Sequence, residues 1–191
     1  AYDVRGNITE QAGFNSDNEL VWKSVVSYKN NLKADVSEYD AKGTLKGKLI
    51  YAYDNGKLVD ETGYDGDGAL IWKNVSKYSE TGALASVCEY NADGSLFAKV
   101  VYTYTDDGKT DTITTYQNLS KESKQQVFRY GSNGLLSEIT TYTADKVVCN
   151  RLVLKYDSAN NVIKVSEYEV SEKFGTTCND LVAQSDFSYQ F

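Results

Sequence analysis

The sequence predicts an all-β protein: one long antiparallel up-and-down meander of about 13 to 14 strands, built from tandem hairpin repeats of 25 to 26 residues. Three observations lead to this prediction. They are a ladder of aromatic residues, a turn signature that follows many of the aromatics, and a stripe of β-branched residues that precedes them. The sheet is expected to be single, curled or twisted, and solenoid-like, because each repeat would be supported mainly by the next.

The aromatic ladder sets the period. After Phe14 its steps alternate between 14 residues and 11 or 12 residues, so two steps make one repeat. Of the 16 tyrosines, 13 lie on the ladder, which random placement would not produce. The ladder residues are Tyr2, Phe14, Tyr28, Tyr39, Tyr53, Tyr64, Tyr78, Tyr90, Tyr104, Tyr116, Tyr130, Tyr142, Tyr156 and Tyr168.

The turn signature predicts hairpin corners. At eight ladder positions a Gly or Asn follows four residues after the aromatic, and an aliphatic residue follows two after that, as in Tyr39, Gly43 and Leu45. Asp, Asn or Ser often comes directly after the aromatic, which suits a type I turn with a bulge. The pair Asn55-Gly56 predicts a tighter type I′ turn. Positive φ is therefore expected at Gly43, Gly68, Gly94 and Gly134.

The β-branched stripe predicts two faces of unequal polarity. Val or Ile stands three residues before every ladder aromatic from Tyr28 to Tyr168 except Tyr64, where the residue is Glu61. An odd offset places this stripe opposite the aromatics. In the longer strands the β-branched stripe shares its face with polar residues that stand five positions before the aromatic. We therefore expect this face to be exposed to solvent and the aromatic face to be more buried. Those polar residues are Lys23, Lys48, Lys73, Lys99, Gln125 and Arg151.

The C-terminal region departs from the period. Residues 1–169 are predicted to form the repeat array, and residues 170–191 an irregular cap and a final strand of the same domain. Cys178 lies in this region, where the chain could fold back toward Cys149. We therefore expect a Cys149–Cys178 disulfide in an oxidising compartment, with Cys88 left as a free thiol.

Composition excludes several functional classes. The chain of 191 residues has no His, Met or Pro and a formal charge of −7, so imidazole catalysis and His-ligated metal sites are absent. We expect no metal and no cofactor. The acidic balance argues against nucleic acid as a partner, and no apolar window is long enough for a membrane-spanning helix. Ala1 in place of Met indicates a processed or trimmed chain.

The candidate ligand-binding residues are aromatic. Trp22 and Trp72 lie six residues before Tyr28 and Tyr78, and with Tyr51 and Tyr102 they are predicted to bind a ligand such as a sugar ring, although side chains of this kind more often fill a core. Acid pairs at Asp65/Asp67 and Asp106/Asp107 are open to two interpretations. They suit turn formation, and they also suit Ca²⁺ binding or glycoside hydrolysis.

Two corners resemble a known repeat. Tyr39-Asp40-Ala41-Lys42-Gly43-Thr44-Leu45 and Tyr64-Asp65-Gly66-Asp67-Gly68-Ala69-Leu70 are similar to the tyrosine-aspartate (YD) repeat of bacterial RHS proteins. The resemblance implies a secreted, periplasmic or cell-surface bacterial protein whose long sheet binds carbohydrate or encloses cargo.

Together, the residues and the resemblance predict a non-enzymatic repeat protein that presents a β-sheet to carbohydrate or to another surface protein. A carboxylate-dependent glycan hydrolase is the alternative. An outer-membrane β-barrel is a further alternative, suggested by the alternating Phe187, Tyr189 and Phe191.

Overall fold

A computed structural model describes residues 1–117 and 121–189, apart from the side chains of residues 121 and 122; Phe191 lies outside this range. Within it the chain forms fourteen β-strands and no helix, which confirms the predicted fold class. The strands are β1 Glu10–Phe14, β2 Leu20–Lys29, β3 Leu32–Asp40, β4 Leu45–Asp54, β5 Lys57–Asp65, β6 Leu70–Tyr78, β7 Leu84–Asn91, β8 Leu96–Tyr104, β9 Thr110–Gln117, β10 Lys121–Tyr130, β11 Leu136–Thr143, β12 Val148–Tyr156, β13 Val162–Lys173 and β14 Thr176–Asp186.

The strands form one antiparallel sheet in chain order, from β1 to β14, and the sheet is not closed. The contacts divide the chain into two compact units, unit 1 from Ala1 to Phe97 and unit 2 from Ala98 to Phe191. No helix in the described residues is long and apolar enough to cross a membrane.

The ladder aromatics stand at hairpin corners, as predicted. Tyr39 pairs with Leu45, and Gly43 between them has a φ of 79°. The carboxylate of Asp40 accepts hydrogen bonds from the backbone N–H groups of Lys42 and Thr44, which replaces water at the turn. Positive φ also occurs at Gly68, Gly94 and Gly134, and at both residues of the Asn55-Gly56 turn. Asp and Gly therefore suit the corner geometry, and Asn160 and Lys146 adopt the same positive φ at other corners.

A bulge accompanies the corners and changes which face each aromatic occupies. Tyr39 pairs with Leu45 but Glu38 pairs with Gly47, so Lys46 is an extra residue in β4. Every other pairing that the structure describes shifts register beside its ladder aromatic in the same way. One extra residue reverses the alternation of side chains.

The prediction of a single aromatic face is therefore wrong. Lys23 lies opposite Tyr39, on the side of β2 away from Trp22 and Tyr28. We call face A the face that carries the tyrosines ending the longer, even-numbered strands, such as Tyr28. Face B carries the aromatics ending the shorter strands, such as Tyr39. The hydrophobic period could not reveal this alternation, because it depends on a single inserted residue per hairpin.

Face B is stabilised by a repeated ion pair. In four repeats the basic residue of a long strand forms an ion pair with an acid thirteen residues earlier. This acid lies on the preceding strand, as the diagonal neighbour of the basic residue. The pairs are Lys23–Glu10, Lys48–Asp35, Lys73–Asp60 and Arg151–Glu138, at 2.6, 3.5, 2.5 and 2.5 Å. Small side chains pack beside them, two residues before the short-strand aromatic. Those classed as buried are Ser37, Thr62, Thr114, Thr140 and Ser166, and Cys88 holds the same position.

On face A the tyrosine hydroxyls link neighbouring strands. Tyr28 donates a hydrogen bond to the carbonyl of Ile8, twenty residues earlier, at 2.9 Å. The same bond recurs from Tyr78 to Leu58, from Tyr130 to Thr110 and from Tyr156 to Leu136, at 2.8 to 2.9 Å. Because no large side chain is fully buried among the described residues, these cross-strand contacts replace a conventional core.

The C-terminal region is more regular than the sequence predicted. β13 continues to Lys173, and β14 pairs with it from Thr176 to Asp186. The two-residue turn between them is Phe174-Gly175, with φ of 55° and 76°. Phe174 is fully exposed, and Phe is not a residue that normally signals such a turn. The irregular path predicted after Val170 is thus a hairpin, whereas the division at residue 170 stays a prediction.

Candidate binding surfaces

The two tryptophans lie on face A of unit 1, each across from a glycine. Trp22 pairs with Gly13 and Trp72 pairs with Gly63. Each indole covers its glycine so closely that a Cβ on Gly63 would lie 2.6 Å from Nε1 of Trp72, and one on Gly13 would overlap Trp22. The glycines therefore fix the indoles against the sheet, while Trp22 remains 47% exposed.

The surface between the two tryptophans contains two depressions. Shallow depressions of about 380 Å³ beside Trp22 and about 260 Å³ beside Trp72 are both bordered by Glu38 and Lys46. Gly47, which pairs with Glu38, adds no side chain here. Trp22 and Trp72 lie four strands apart, so at roughly 4.8 Å per strand they are separated by roughly 19 Å or more and do not form one compact site.

The predicted tyrosines lie on face A of different units. In unit 1, Tyr51 pairs with Glu61, and the ammonium of Lys33 lies 5.6 Å from its ring centre. Burial raises the pKa of Tyr51, and the negative charge of Glu61 adds to this. In unit 2, Tyr102 is half-buried and pairs with Ile113. Ligand binding by these four aromatics stays a prediction.

The acid pairs serve the turns. Asp65 accepts hydrogen bonds from the N–H groups of Asp67 and Ala69, at 3.0 and 2.8 Å. Asp107 contacts Thr105 and forms a 2.5 Å ion pair with Lys109, which lowers the pKa of its carboxyl group. Within the described residues, no group of three acidic or cysteine side chains converges to hold a metal ion.

The cysteines do not form the predicted disulfide in this structure. Cys88, Cys149 and Cys178 are all free. Cys149 is in β12 and Cys178 is in β14, where it pairs with Ser171 of the intervening β13. Two strand spacings place the Cα atoms about 9 to 10 Å apart, beyond the roughly 7 Å that a disulfide can span. The sequence placed the two cysteines near each other but could not show that a strand separates them.

Unit 2 contains a depression that was not predicted from the sequence. Its volume is about 640 Å³, and its lining includes two neighbouring rows of face A. One row is Gln126, Thr141 and Asn150, and the other is Ile139, Leu152 and Glu167. A signal was present in the sequence, since Asn150 occupies the repeat position of Trp22 and Trp72, six residues before the long-strand tyrosine.

Comparison with known proteins identifies structural similarity only. No family model and no curated protein matches the sequence. The fold resembles that of a porin-like protein from Bacteroides uniformis, with a TM-score of 0.52 and 14% sequence identity, over 94% of this chain and 85% of that chain. At this identity the similarity is one of fold.

Parts of much larger toxin structures also match. These are the Photorhabdus luminescens Tc holotoxin pore, at 13% identity, and the TcdB2-TccC3-Cdc42 crystal structure, at 12% identity. Each match has a TM-score of 0.46 and covers 95% of this chain and 12% of the other. Such a score is too low to indicate a shared fold, so the resemblance to the tyrosine-aspartate repeat stays a prediction.

Proposed function

We propose that this chain is a non-enzymatic, secreted or cell-surface bacterial repeat protein, and that face A of unit 1 binds a carbohydrate. The observation that carries the proposal is the half-exposed indole of Trp22, held in place over Gly13. A fixed aromatic surface can stack against the C–H face of a sugar with little loss of side-chain entropy. Another surface protein is the alternative ligand.

Three further observations support the proposal. The depressions beside Trp22 and Trp72 leave room for an extended carbohydrate chain that passes over Gly47. The acidic pairs are occupied in turns, which supports a binding role over hydrolysis. The porin-like protein with a similar fold supports a secreted or surface location.

A glycan array with labelled protein tests the proposal. We expect the wild type to bind at least one class of glycan, and Trp22→Ala to lower the signal by about tenfold, as expected for a stacking contact of about 1.4 kcal/mol. Ile50→Ala is the matched control, because Ile50 is an exposed hydrophobic residue on face B. Thermal melts establish that each variant is folded at the assay temperature.

Three results would oppose the proposal. Binding that is equally sensitive to Ile50→Ala would reject a site on face A. Release of reducing sugar from a bound glycan would favour the hydrolase. If the array stays blank, carbohydrate is rejected and a protein ligand remains.

A further inference from the structure

We propose that the depression of unit 2 is a second binding site, for a neutral, hydroxyl-rich ligand of about one or two sugar units. The inference rests on the proposed function in naming a carbohydrate, but it assigns different residues in a different unit. Its volume of about 640 Å³ lies within the range of small-molecule sites.

The geometry of the two rows supplies what such a ligand requires. Ile139 and Leu152, paired across β11 and β12, form an apolar floor for the C–H face of a sugar. Polar groups of Gln126, Thr141 and Asn150 form the row beside this floor, and Glu167 lies at its end. Amide and carboxylate groups can each bind two adjacent hydroxyls, and amides both donate and accept. The set is therefore suited to a ring with several hydroxyl groups.

Part of this set is fixed before any ligand binds. The amide of Asn150 donates a 2.8 Å hydrogen bond to the carboxylate of Glu167, which orients both groups. Thr141 is only 5% exposed and is held at the centre of its row. The side-chain amide of Gln126, by contrast, has no hydrogen-bond partner among the described residues. Its amide is available to a ligand.

The fold does not require these polar residues. The repeat position of Gln126, four residues before the long-strand tyrosine, is apolar in three other repeats (Leu49, Val100 and Leu152) and polar in two (Ser24 and Asn74). The repeat position of Asn150 is occupied by Ala98 and by both tryptophans. Since the repeat accepts apolar side chains at both positions, stability does not require the polar group in unit 2, and its side chains can serve a ligand.

Charge favours a neutral ligand. Lys124 and Glu167, both in the lining, offset each other. The whole chain carries a formal charge of −7, which opposes the approach of polyanions. Neutral glycans are therefore expected to bind better than acidic ones.

The test is a titration of the full chain, by isothermal calorimetry, with neutral hexasaccharides of glucose, mannose, xylose and N-acetylglucosamine and with hexagalacturonate as the acidic control. We expect at least one neutral sugar to bind. Gln126→Leu and Asn150→Ala, which install residues that other repeats carry, should each weaken its binding by about tenfold, equivalent to one hydrogen bond of about 1.4 kcal/mol. Ile50→Ala, an exposed position on face B of unit 1, should have no effect on this binding.

The outcomes separate this site from the one in unit 1. Binding weakened by Trp22→Ala but unchanged in Gln126→Leu would overturn the unit 2 site and leave the proposed function standing. Binding weakened by Gln126→Leu but unchanged in Trp22→Ala would support the unit 2 site and reject the unit 1 site. Failure of every neutral sugar to bind, or tighter binding of hexagalacturonate, would overturn this inference.

Discussion

The two units share one frame and differ in what they place on face A. In unit 1 the cross-strand pairs at the centre of this face combine a large side chain with a glycine, as in Gly13–Trp22 and Gly63–Trp72. In unit 2 the corresponding pairs, Thr115–Lys124 and Thr141–Asn150, combine a threonine with a longer polar side chain. The corners, bulges and tyrosine hydroxyl bonds are the same in both.

This difference separates residues that build the frame from residues that vary on it. Corner glycines recur because backbone geometry favours them, and ladder tyrosines recur because their hydroxyls link neighbouring strands. The central pairs vary because each pair only has to fill its own space, and a large residue opposite a small one does this as well as a threonine opposite a longer polar residue. We therefore expect the side chains that select a particular ligand to lie at the central pairs.

The largest effect is expected where unit 1 depends on close packing. Gly63→Ala should lower the free energy of unfolding by about 2 to 3 kcal/mol, because the new methyl would overlap Trp72. The same change in a Trp72→Ala background should be close to neutral. Urea titrations of the two single variants and the double variant measure this coupling, and additive effects would contradict the steric explanation.

A smaller effect is expected at the corners. Gly68 has a φ of 84° and open space around it, so Gly68→Ala should destabilise by about 1 to 2 kcal/mol through backbone strain alone. Gly68→Asn should cost less than half as much, because Asn tolerates this conformation and Asn160 adopts it in unit 2. Equal melting temperatures for the two variants would argue against the conformational cause.

The ion pairs of face B should respond to pH to different degrees. In unit 2 the hydrogen bond from Arg151 lowers the pKa of Glu138, whose side chain is 15% exposed. A lowered pKa in the folded state means that this stability is present above the ordinary value of 4.5 and is lost as the pH falls below it.

We expect Glu138→Gln to remove about 1 kcal/mol at pH 7 and to flatten the dependence of the urea midpoint on pH between 5 and 3. The matched variant Glu10→Gln in unit 1 should have little effect, because Glu10 is 41% exposed and its pair with Lys23 is screened by water and salt. A larger effect of Glu10→Gln would reverse this ranking.

The smallest effect is expected at the cysteines. Thiol counting under denaturing, non-reducing conditions should find three free thiols, and reducing agent should not change the melting temperature. A count of one would show that β13 does not keep Cys149 and Cys178 apart as the register indicates.

Local signals in the sequence predicted most of the fold. Gly43 and Asp40 specify a corner by themselves, because their conformational and hydrogen-bonding preferences act within one turn. Features that depend on distant strands were missed. The faces of Tyr39 and Tyr28 depend on a bulge that no hydrophobic pattern marks, and Phe174 gives no turn signal.

The candidate site was predictable only in part. Trp22 and Trp72 were identified by residue type, but their contact with Gly13 and Gly63 depends on register across strands. The depression of unit 2 combines residues from four strands, so Gln126 and Glu167 became neighbours of one site only in three dimensions. The position of β13 between Cys149 and Cys178 was hidden from the sequence for the same reason, and their pairing stays a prediction.

The single extra residue in each hairpin also limits how such a chain can lengthen or shorten during evolution. Removing one strand with its corner would exchange faces A and B in all the strands that follow. The lysines and acids of face B would then lie on the face where the tyrosine hydroxyls form their hydrogen bonds. Gene duplication or deletion therefore preserves the sheet only when it copies or removes an even number of strands. Lengths that differ by about 25 or 26 residues are the ones expected among descendants of a common ancestor.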